Sequence, residues 1–303
     1  MDETVAGLLS YVAPALRGPL AEAAAAGPAW CEVRIRRGGP LQVVTVAGDL
    51  WIGSGDDPAR ALHCSDDDLD RTVQLITRAS LYAWEDELAR GYCTVPGGHR
   101  VGFAGRAVLR DGQVVAQTAF SALCLRIGRA LPGVADPVLP LLRGPGGRIR
   151  STLVFGPPGC GKTTLLRDLC RQLSRGRPDL GLRPQRVAVC DERSEVAAAS
   201  GGRPHFDLGP RCDVLDGCPK AQGLVILLRS LGPQVLVTDE VGGAADAEAI
   251  EDAARAGVAV LASAHAGSAE DLRRRPCLAA LMAGGAFEVL AELGPDRRLV
   301  VRP

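Results

Sequence analysis

The sequence has few lysines and aromatic residues, no excess of either charge and no long apolar run. No stretch approaches the roughly 18 uninterrupted apolar residues of a membrane-spanning helix, so we expect no such segment. The acidic residues directly after Met1 are untypical of a secretory signal. Basic and acidic residues balance at 35 each, and only 4% of residues are aromatic. This composition argues against a protein that works mainly by covering nucleic acid with cationic and aromatic surface.

Cysteine pairs of the C-x-x-C type are also missing, although the chain has ten cysteines. Cys212 and Cys218 lie close in sequence but lack the further cysteine or histidine ligands that a zinc site needs. We therefore expect no zinc, and mostly buried thiols in a reduced, cytoplasmic protein. The basic residues comprise 33 arginines and only two lysines, Lys162 and Lys220.

Changes of pattern along the chain predict two domains. Residues 1–130 suggest a smaller α+β domain, with a helix from Ser65 to Ala89 and a hairpin turn at Asp111 and Gly112. Residues 131–150 are rich in glycine and proline and suggest a linker. In 151–303, strands alternate with helices, which predicts an α/β domain with a parallel sheet. The expected strands are 152–155, 186–190, 234–238 and 258–263, the helices are 162–174, 219–231, 244–256 and 268–282, and a hairpin over 287–301 closes the chain.

Residues 156–164, GPPGCGKTT, match the phosphate-binding pattern G-x-x-x-x-G-K-[ST] between an apolar strand and a helix. Glycines in such a loop let consecutive N–H groups and the helix N-terminus point at a phosphate. Lys162 is expected to reach the β- and γ-phosphates of ATP, and the Thr163 hydroxyl to ligate Mg²⁺. The predicted nucleotide contacts are Gly156, Pro157, Pro158, Gly159, Cys160, Gly161, Lys162, Thr163 and Thr164.

Polar residues end three further strands of the predicted sheet. Asp239 is expected to hold Mg²⁺, and Glu240 to orient or deprotonate the attacking water. An apolar run ending in two acids also describes an ordinary strand end, but its pairing with the 156–164 loop favours the catalytic interpretation. His265 is a candidate γ-phosphate sensor, with a purely structural histidine as the alternative. Asp191, Glu192 and Glu195 are candidates for positioning metal or water, although a solvated charged loop explains them equally well.

A positive charge from outside the loop is also expected, because phosphoryl transfer develops negative charge that an arginine of a neighbouring subunit frequently offsets. Six arginines are candidates for this role. Each of them taken alone is better explained as a surface or salt-bridged side chain, but together they favour an active site that two subunits share. The candidates are Arg100, Arg106, Arg126, Arg129, Arg193 and Arg211.

Several stretches resemble the stage III sporulation protein AA family, which is itself similar to secretion ATPases and pilus motors. The stretches are GGHRVG (97–102), DERSE (191–195), GPRCDVLDGCPK (209–220) and QVLVTDE (234–240), and the likeness extends from about Glu32 to Phe287. The resemblance implies a RecA-like P-loop core, an N-terminal α+β domain and assembly as hexameric rings. It also implies that Asp239 and Glu240 form the Walker B motif, that Glu192 lies in the acidic box, and that His265 is the histidine of the histidine box.

The resemblance further implies an ATP-hydrolysing motor on the mother-cell side of a channel to the forespore of an endospore-forming bacterium. Such a motor would be cytoplasmic and would dock on membrane proteins of that channel. Two alternatives from other classes remain: a RecA-like nucleic-acid-binding ATPase and a slow, nucleotide-dependent assembly switch. The low aromatic content argues against the first, and Glu240 argues against the second, because a pure switch has no need of a water-activating carboxylate.

Overall fold

The computed structural model describes residues 2–80, 84–296 and 298–302, and the chain divides into two compact units, Met1–Arg129 and Ala130–Pro303. In these described ranges, no helix is both long enough and apolar enough to cross a bilayer.

The first unit contains a six-stranded sheet in the order β3-β2-β1-β6-β5-β4, in which every neighbouring pair is antiparallel. The long β5–β6 hairpin turns at Asp111 and Gly112, as predicted, and both have positive φ, which suits the right-handed twist of the paired strands. The strands are β1 (Trp30–Arg36), β2 (Gln42–Thr45), β3 (Gly48–Trp51), β4 (Tyr92–Val95), β5 (His99–Arg110) and β6 (Gln113–Arg126), and the helices are α1 (Glu3–Leu9), α2 (Pro14–Ala26), α3 (Asp66–Thr77) and α4 (Glu85–Arg90).

Helix α3 begins where the sequence predicts and ends earlier. Ser65 caps it through a reciprocal pair of hydrogen bonds with Asp68. The prediction that it continues to Ala89 was wrong, because Arg78 adopts a left-handed conformation after Thr77. Leu69, Val73 and Ile76 form an apolar stripe on one face of this helix. The next described position on that face is the exposed Ser80, which does not extend the apolar stripe. Residues 81–83 of the predicted helix lie outside the described residues.

The second unit contains a seven-stranded sheet in the order β13-β12-β7-β11-β10-β8-β9, parallel except for the β12–β13 hairpin. The strands are β7 (Thr152–Gly156), β8 (Val187–Asp191), β9 (Cys212–Asp216), β10 (Val235–Thr238), β11 (Ala259–His265), β12 (Val289–Leu293) and β13 (Leu299–Arg302). The helices are α5 (Leu139–Leu142), α6 (Lys162–Arg175), α7 (Lys220–Leu231), α8 (Ala244–Arg255), α9 (Ala269–Arg274) and α10 (Pro276–Ala283). This α/β arrangement with a parallel-containing sheet is the fold class that the sequence predicts.

Apolar side chains cover both faces of this sheet. Val154 faces a core that includes α5 and α6, whereas its neighbours Leu153 and Phe155 face a second core that includes α7 to α10. The central strands are therefore buried on both sides, which explains why they form continuous apolar runs.

Two details of the second unit differ from the sequence prediction. Strand β9 was not predicted, because it lies at the sheet edge and carries the exposed acids Asp213 and Asp216 between half-buried residues. The single helix expected over 268–282 is two helices, because Pro276 begins a new helix and the preceding Arg275 is extended.

The predicted linker, 131–150, packs into the core of the second unit. Its apolar residues Ala135, Val138, Leu139, Leu142 and Ile149 are buried there. The buried carboxylate of Asp168 on α6 accepts hydrogen bonds from the backbone N–H groups of Gly133 (2.9 Å) and Ala135 (3.0 Å). Asp168 therefore fastens the start of this segment to the helix that follows the phosphate-binding motif.

We predict that Asp168→Ala lowers the free energy of unfolding by about 2–4 kcal/mol, because the backbone N–H groups of Gly133 and Ala135 lose their hydrogen-bond acceptor. Urea denaturation followed by circular dichroism measures the change. The matched control is Asp252→Ala, which removes an exposed carboxylate paired with Arg255 and is expected to cost less than about 1 kcal/mol. Equal losses in the two variants would contradict the anchoring role of Asp168.

Candidate functional site

The strand order brings the predicted site residues to one edge of the second sheet. Strands β7, β11, β10 and β8 are consecutive and parallel, so their carboxyl ends lie side by side. The 156–164 loop follows β7, His265 ends β11, Asp239 and Glu240 follow β10, and Glu192 follows β8. The carboxyl edge of such a sheet is the usual position of a ligand site in open α/β folds.

The phosphate-binding motif forms a tight turn between β7 and α6. A side chain at Gly156 would place its Cβ 2.2 Å from the backbone oxygen of Leu293, so only glycine fits there. Gly161 has a φ of 106° and directly precedes α6, whose first residue is Lys162. Thr163 and Thr164 lie half-buried in the first turn of this helix. The loop therefore presents a helix N-terminus and a threonine hydroxyl at the sheet edge, which is the chemistry of an anion site.

Lys162 is buried and bound by its own loop. Its Nζ donates to the backbone oxygens of Gly156 (3.0 Å) and Pro157 (2.8 Å), and it lies 3.1 Å from His265 Nδ1. Burial lowers the pKa of this ammonium, and the nearby Glu240 acts in the opposite direction. A phosphate would give Lys162 a stronger partner than the two carbonyl groups.

His265 connects Lys162 to Glu240. Its Nε2 lies 2.8 Å from Glu240 Oε1. The tautomer protonated on Nε2 satisfies both contacts of the ring, because Nδ1 then accepts from Lys162 while Nε2 donates to Glu240. The predicted phosphate sensor thus lies between the phosphate-loop lysine and the predicted water-activating carboxylate.

Glu240 is held through both its side chain and its backbone. Arg193 donates to Oε2 of the carboxylate, and the Ser263 hydroxyl accepts the Glu240 N–H at 3.0 Å. Burial alone would raise the pKa of Glu240, but the hydrogen bond from His265 and the charge of Arg193 lower it below its usual value. Glu240 also adopts a φ of 46°, a left-handed conformation that is uncommon for residues other than glycine and that occurs frequently at functional sites.

Asp239 is buried, and one of its carboxylate oxygens lacks compensation. Its Oδ2 has no hydrogen-bond partner among the residues that the structure describes. Burial and the neighbouring charge of Asp191 raise the pKa of this carboxyl group to about 7. A divalent cation with its water shell would supply the missing partner and favour the ionised form, so the residue fits Mg²⁺.

The two acids at the end of β8, Asp191 within the strand and Glu192 directly after it, have different partners. Asp191 is fully buried, and its carboxylate accepts the backbone N–H groups of Glu195 (2.8 Å), Val196 (3.2 Å) and Ala197 (2.8 Å), so it holds the loop that follows it. Glu192 Oε2 instead accepts from Lys220 Nζ at 3.0 Å.

Of the two candidate arginines in the second unit, Arg193 contacts a predicted site residue, namely Glu240 of the same chain. Arg211 donates to the backbone oxygen of Ser174. The other four belong to the first unit, where Arg126 pairs with Glu32, Arg129 pairs with Asp2, Arg100 stacks on Tyr92 and Arg106 is exposed.

Two residues of the site were assigned no role from the sequence. Ser263 lies within β11 and accepts the Glu240 N–H, and Lys220 begins α7 and reaches Glu192 and the backbone oxygen of Glu240. Two signals in the sequence pointed to Lys220: the rarity of lysine in the chain and its place at the end of the 209–220 stretch.

The profile of the family described as sporulation stage III, protein AA, matches residues 5–298. Stage III sporulation protein AA of Bacillus subtilis (strain 168) is 38% identical over 262 residues, which cover 86% of this chain and 81% of that protein.

Among solved structures, the pilus retraction motor PilT with bound ADP matches with a TM-score of 0.60 and 17% identity, covering 93% of this chain and 80% of that one. The ATPase DotB of Legionella pneumophila matches with a TM-score of 0.59 and 17% identity, over 90% of this chain and 75% of that one. These likenesses confirm the predicted RecA-like fold of secretion and pilus ATPases. The profile match and the Bacillus subtilis relative show that the chain belongs to the sporulation stage III protein AA family.

Proposed function

We propose that this protein is a Mg²⁺-dependent ATPase that uses the 156–164 loop to bind the phosphates of ATP. The observation that carries the proposal is the hydrogen-bonded series Lys162–His265–Glu240, which links the phosphate loop to the acid of β10 across three adjacent strands. Thr163 and Asp239 are the residues that would hold Mg²⁺. The uncompensated, buried oxygen of Asp239 supports this assignment.

In the proposed reaction, the loop N–H groups bind the phosphates, and Lys162 exchanges the carbonyl groups of Gly156 and Pro157 for phosphate oxygens. Bound Mg²⁺ would offset the charge of the β- and γ-phosphates. Glu240 orients a water molecule and accepts its proton as the water oxygen bonds to the γ-phosphorus. The bond from that phosphorus to the bridging oxygen breaks, leaving ADP and inorganic phosphate.

His265 is suited to report the state of the site, because its two ring nitrogens contact Lys162 and Glu240. When Lys162 turns to the phosphates, His265 loses one partner and can contact the γ-phosphate itself. Loss of that phosphate restores the original contacts. This exchange would couple hydrolysis to movement of the loops after β10 and β11.

We further propose that the ATPase works as a motor in a closed ring of like subunits, of which six is the number that the secretion and pilus motors suggest. Head-to-tail contacts of one chain with the next generate such rings. An arginine of the neighbouring subunit would then complete the site. We place the protein at the cytoplasmic face of a membrane channel, on the mother-cell side. Sequence similarity to a sporulation protein and structural similarity to a pilus retraction motor support this role. Its partners there would be membrane proteins of that channel.

A slow, nucleotide-dependent switch is the second candidate, and one observation favours it. Both carboxylate oxygens of Glu240 are engaged within the chain, by His265 and Arg193. An isolated subunit would then bind ATP but hydrolyse it slowly until a neighbouring subunit or a membrane partner released the carboxylate.

We predict that Glu240→Gln keeps nucleotide binding but reduces the rate of hydrolysis at least about 100-fold, because the amide cannot accept the proton of the attacking water. Binding of a fluorescent ATP analogue and release of inorganic phosphate measure the two properties separately. The control is Glu248→Gln, the same change at an exposed position of α8 in the same unit. Undiminished turnover in Glu240→Gln would remove Glu240 from its assigned role.

We also predict that the specific activity rises cooperatively with protein concentration, because active sites shared between subunits require assembly. Mg²⁺-ATP hydrolysis is measured over a series of dilutions, with Lys162→Ala as the inactive control. Low turnover that is independent of concentration, together with tight nucleotide binding, would contradict the motor and favour the switch.

A further inference from the structure

The two lysines of this chain occupy closely similar environments, although arginine supplies its other 33 basic residues. Lys162 is 5% exposed and Lys220 is 6% exposed, and both lie at the carboxyl edge of the second sheet. The ammonium group of each donates to a backbone carbonyl in that edge. The phosphate-binding motif accounts for Lys162, whereas no part of the proposed reaction yet uses Lys220.

Lys220 connects the ends of two neighbouring strands. It is the first residue of α7, and its Nζ lies 3.0 Å from Glu192 Oε2, after β8, and 3.4 Å from the backbone oxygen of Glu240, after β10. Strands β8 and β10 are paired in the sheet. The ammonium therefore connects the loop after β8 with the loop after β10, beyond the point where the two strands are paired.

The backbone of Glu240 needs such support. Its φ of 46° is costly for a residue with a side chain and persists only where the surroundings fix it. Ser263 binds the Glu240 N–H through its hydroxyl and the Val241 N–H through its backbone oxygen. Lys220 binds the Glu240 carbonyl from the other side, so this peptide segment is held at both its donors and its acceptor.

The position of the ammonium is set by close packing of α7 on β8. A Cβ at Gly223, one turn after Lys220, would lie 2.3 Å from Cys190 Sγ. The helix therefore approaches the strand as closely as a glycine allows, and its first residue has a fixed distance to the strand ends. A compact ammonium with three donors suits this small buried space better than the larger planar guanidinium.

We propose that Lys220 is a positioning residue for hydrolysis, which holds the main chain of Glu240 and the carboxylate of Glu192 so that the Glu240 side chain meets the attacking water. The inference rests on the proposed ATPase function. Among the described residues, the hydrogen bonds of the Lys220 ammonium go to Glu192 and Glu240 in the acidic loops and not to the phosphate loop. Its removal should therefore lower the rate of hydrolysis and leave the affinity for nucleotide almost unchanged.

The experiment compares Lys220→Met, which removes the charge but keeps the length, with Lys220→Arg, which keeps the charge. We expect kcat of Lys220→Met to fall at least about 10-fold while the dissociation constant for a fluorescent ATP analogue changes less than about 3-fold. Lys220→Arg should recover part of the lost rate. The matched control is Arg229→Met, which removes a positive charge from an exposed position on the same helix and should leave both quantities unchanged.

A double-mutant comparison tests the mechanism within the same assay. If Lys220 acts partly through Glu192, adding Glu192→Gln to Lys220→Met should slow the reaction by less than the product of the two single effects. If the two substitutions instead reduce the rate by the product of their single effects, Lys220 does not act through Glu192. Thermal unfolding of each variant distinguishes a loss of positioning from a loss of folding. If Lys220→Met does not fold, the same two quantities, kcat and the dissociation constant, are measured for Lys220→Arg instead.

The outcomes separate this inference from the proposed function. A wild-type rate in Lys220→Met, or an equal loss of rate and nucleotide affinity, overturns the positioning role while the ATPase proposal stands. A wild-type protein that binds no ATP, or whose rate equals that of Lys162→Ala, overturns the ATPase proposal and this inference with it.

Discussion

Four carboxylates converge at the carboxyl ends of β8 and β10, and the surrounding structure has to compensate this concentration of negative charge. Burying an ionised group is costly unless hydrogen bonds or opposite charges replace water. Three of the four acids have such partners. Asp191 has backbone N–H groups, Glu192 has Lys220, and Glu240 has His265 and Arg193.

Asp239 is the exception, because one of its buried oxygens has no partner in the described part of the chain. Its pKa of about 7 expresses the same deficit, since a carboxyl group that lacks compensation retains its proton more readily. A cation beside Asp239 would complete the compensation of all four acids. This deficit supports the proposal that the edge binds a metal–nucleotide complex, with Lys162 on one side and Asp239 on the other.

The sequence was sufficient to predict this edge in outline, because the relevant signals are local. The 156–164 motif, the apolar run before Asp239 and the strand that ends at His265 are each a short pattern of neighbouring residues. The alternation of such strands with helices predicted the parallel α/β sheet, and the resemblance to a known family implied its RecA-like form. The end of α3 was not predicted, because tertiary packing decides it. The division of the 268–282 helix at Pro276 was not predicted either, because it depends on the single extended residue Arg275.

The connections between strand ends were beyond sequence reasoning. Lys220 lies 28 residues from Glu192 and 20 from Glu240, and it meets them only because β8 and β10 are neighbours in the sheet. Ser263 depends in the same way on the pairing of β10 with β11. Sheet order is set by packing over the whole domain, and no local pattern around either residue specifies it.

A crystal structure with Mg²⁺ and a non-hydrolysable ATP analogue tests the central claim most directly. We predict that Lys162 Nζ leaves the carbonyl groups of Gly156 and Pro157 for the phosphates, and that the metal ion lies within reach of Thr163 and Asp239, directly or through one water. A nucleotide bound elsewhere, or phosphates in the loop with Asp239 still uncompensated and distant from the metal, would contradict it.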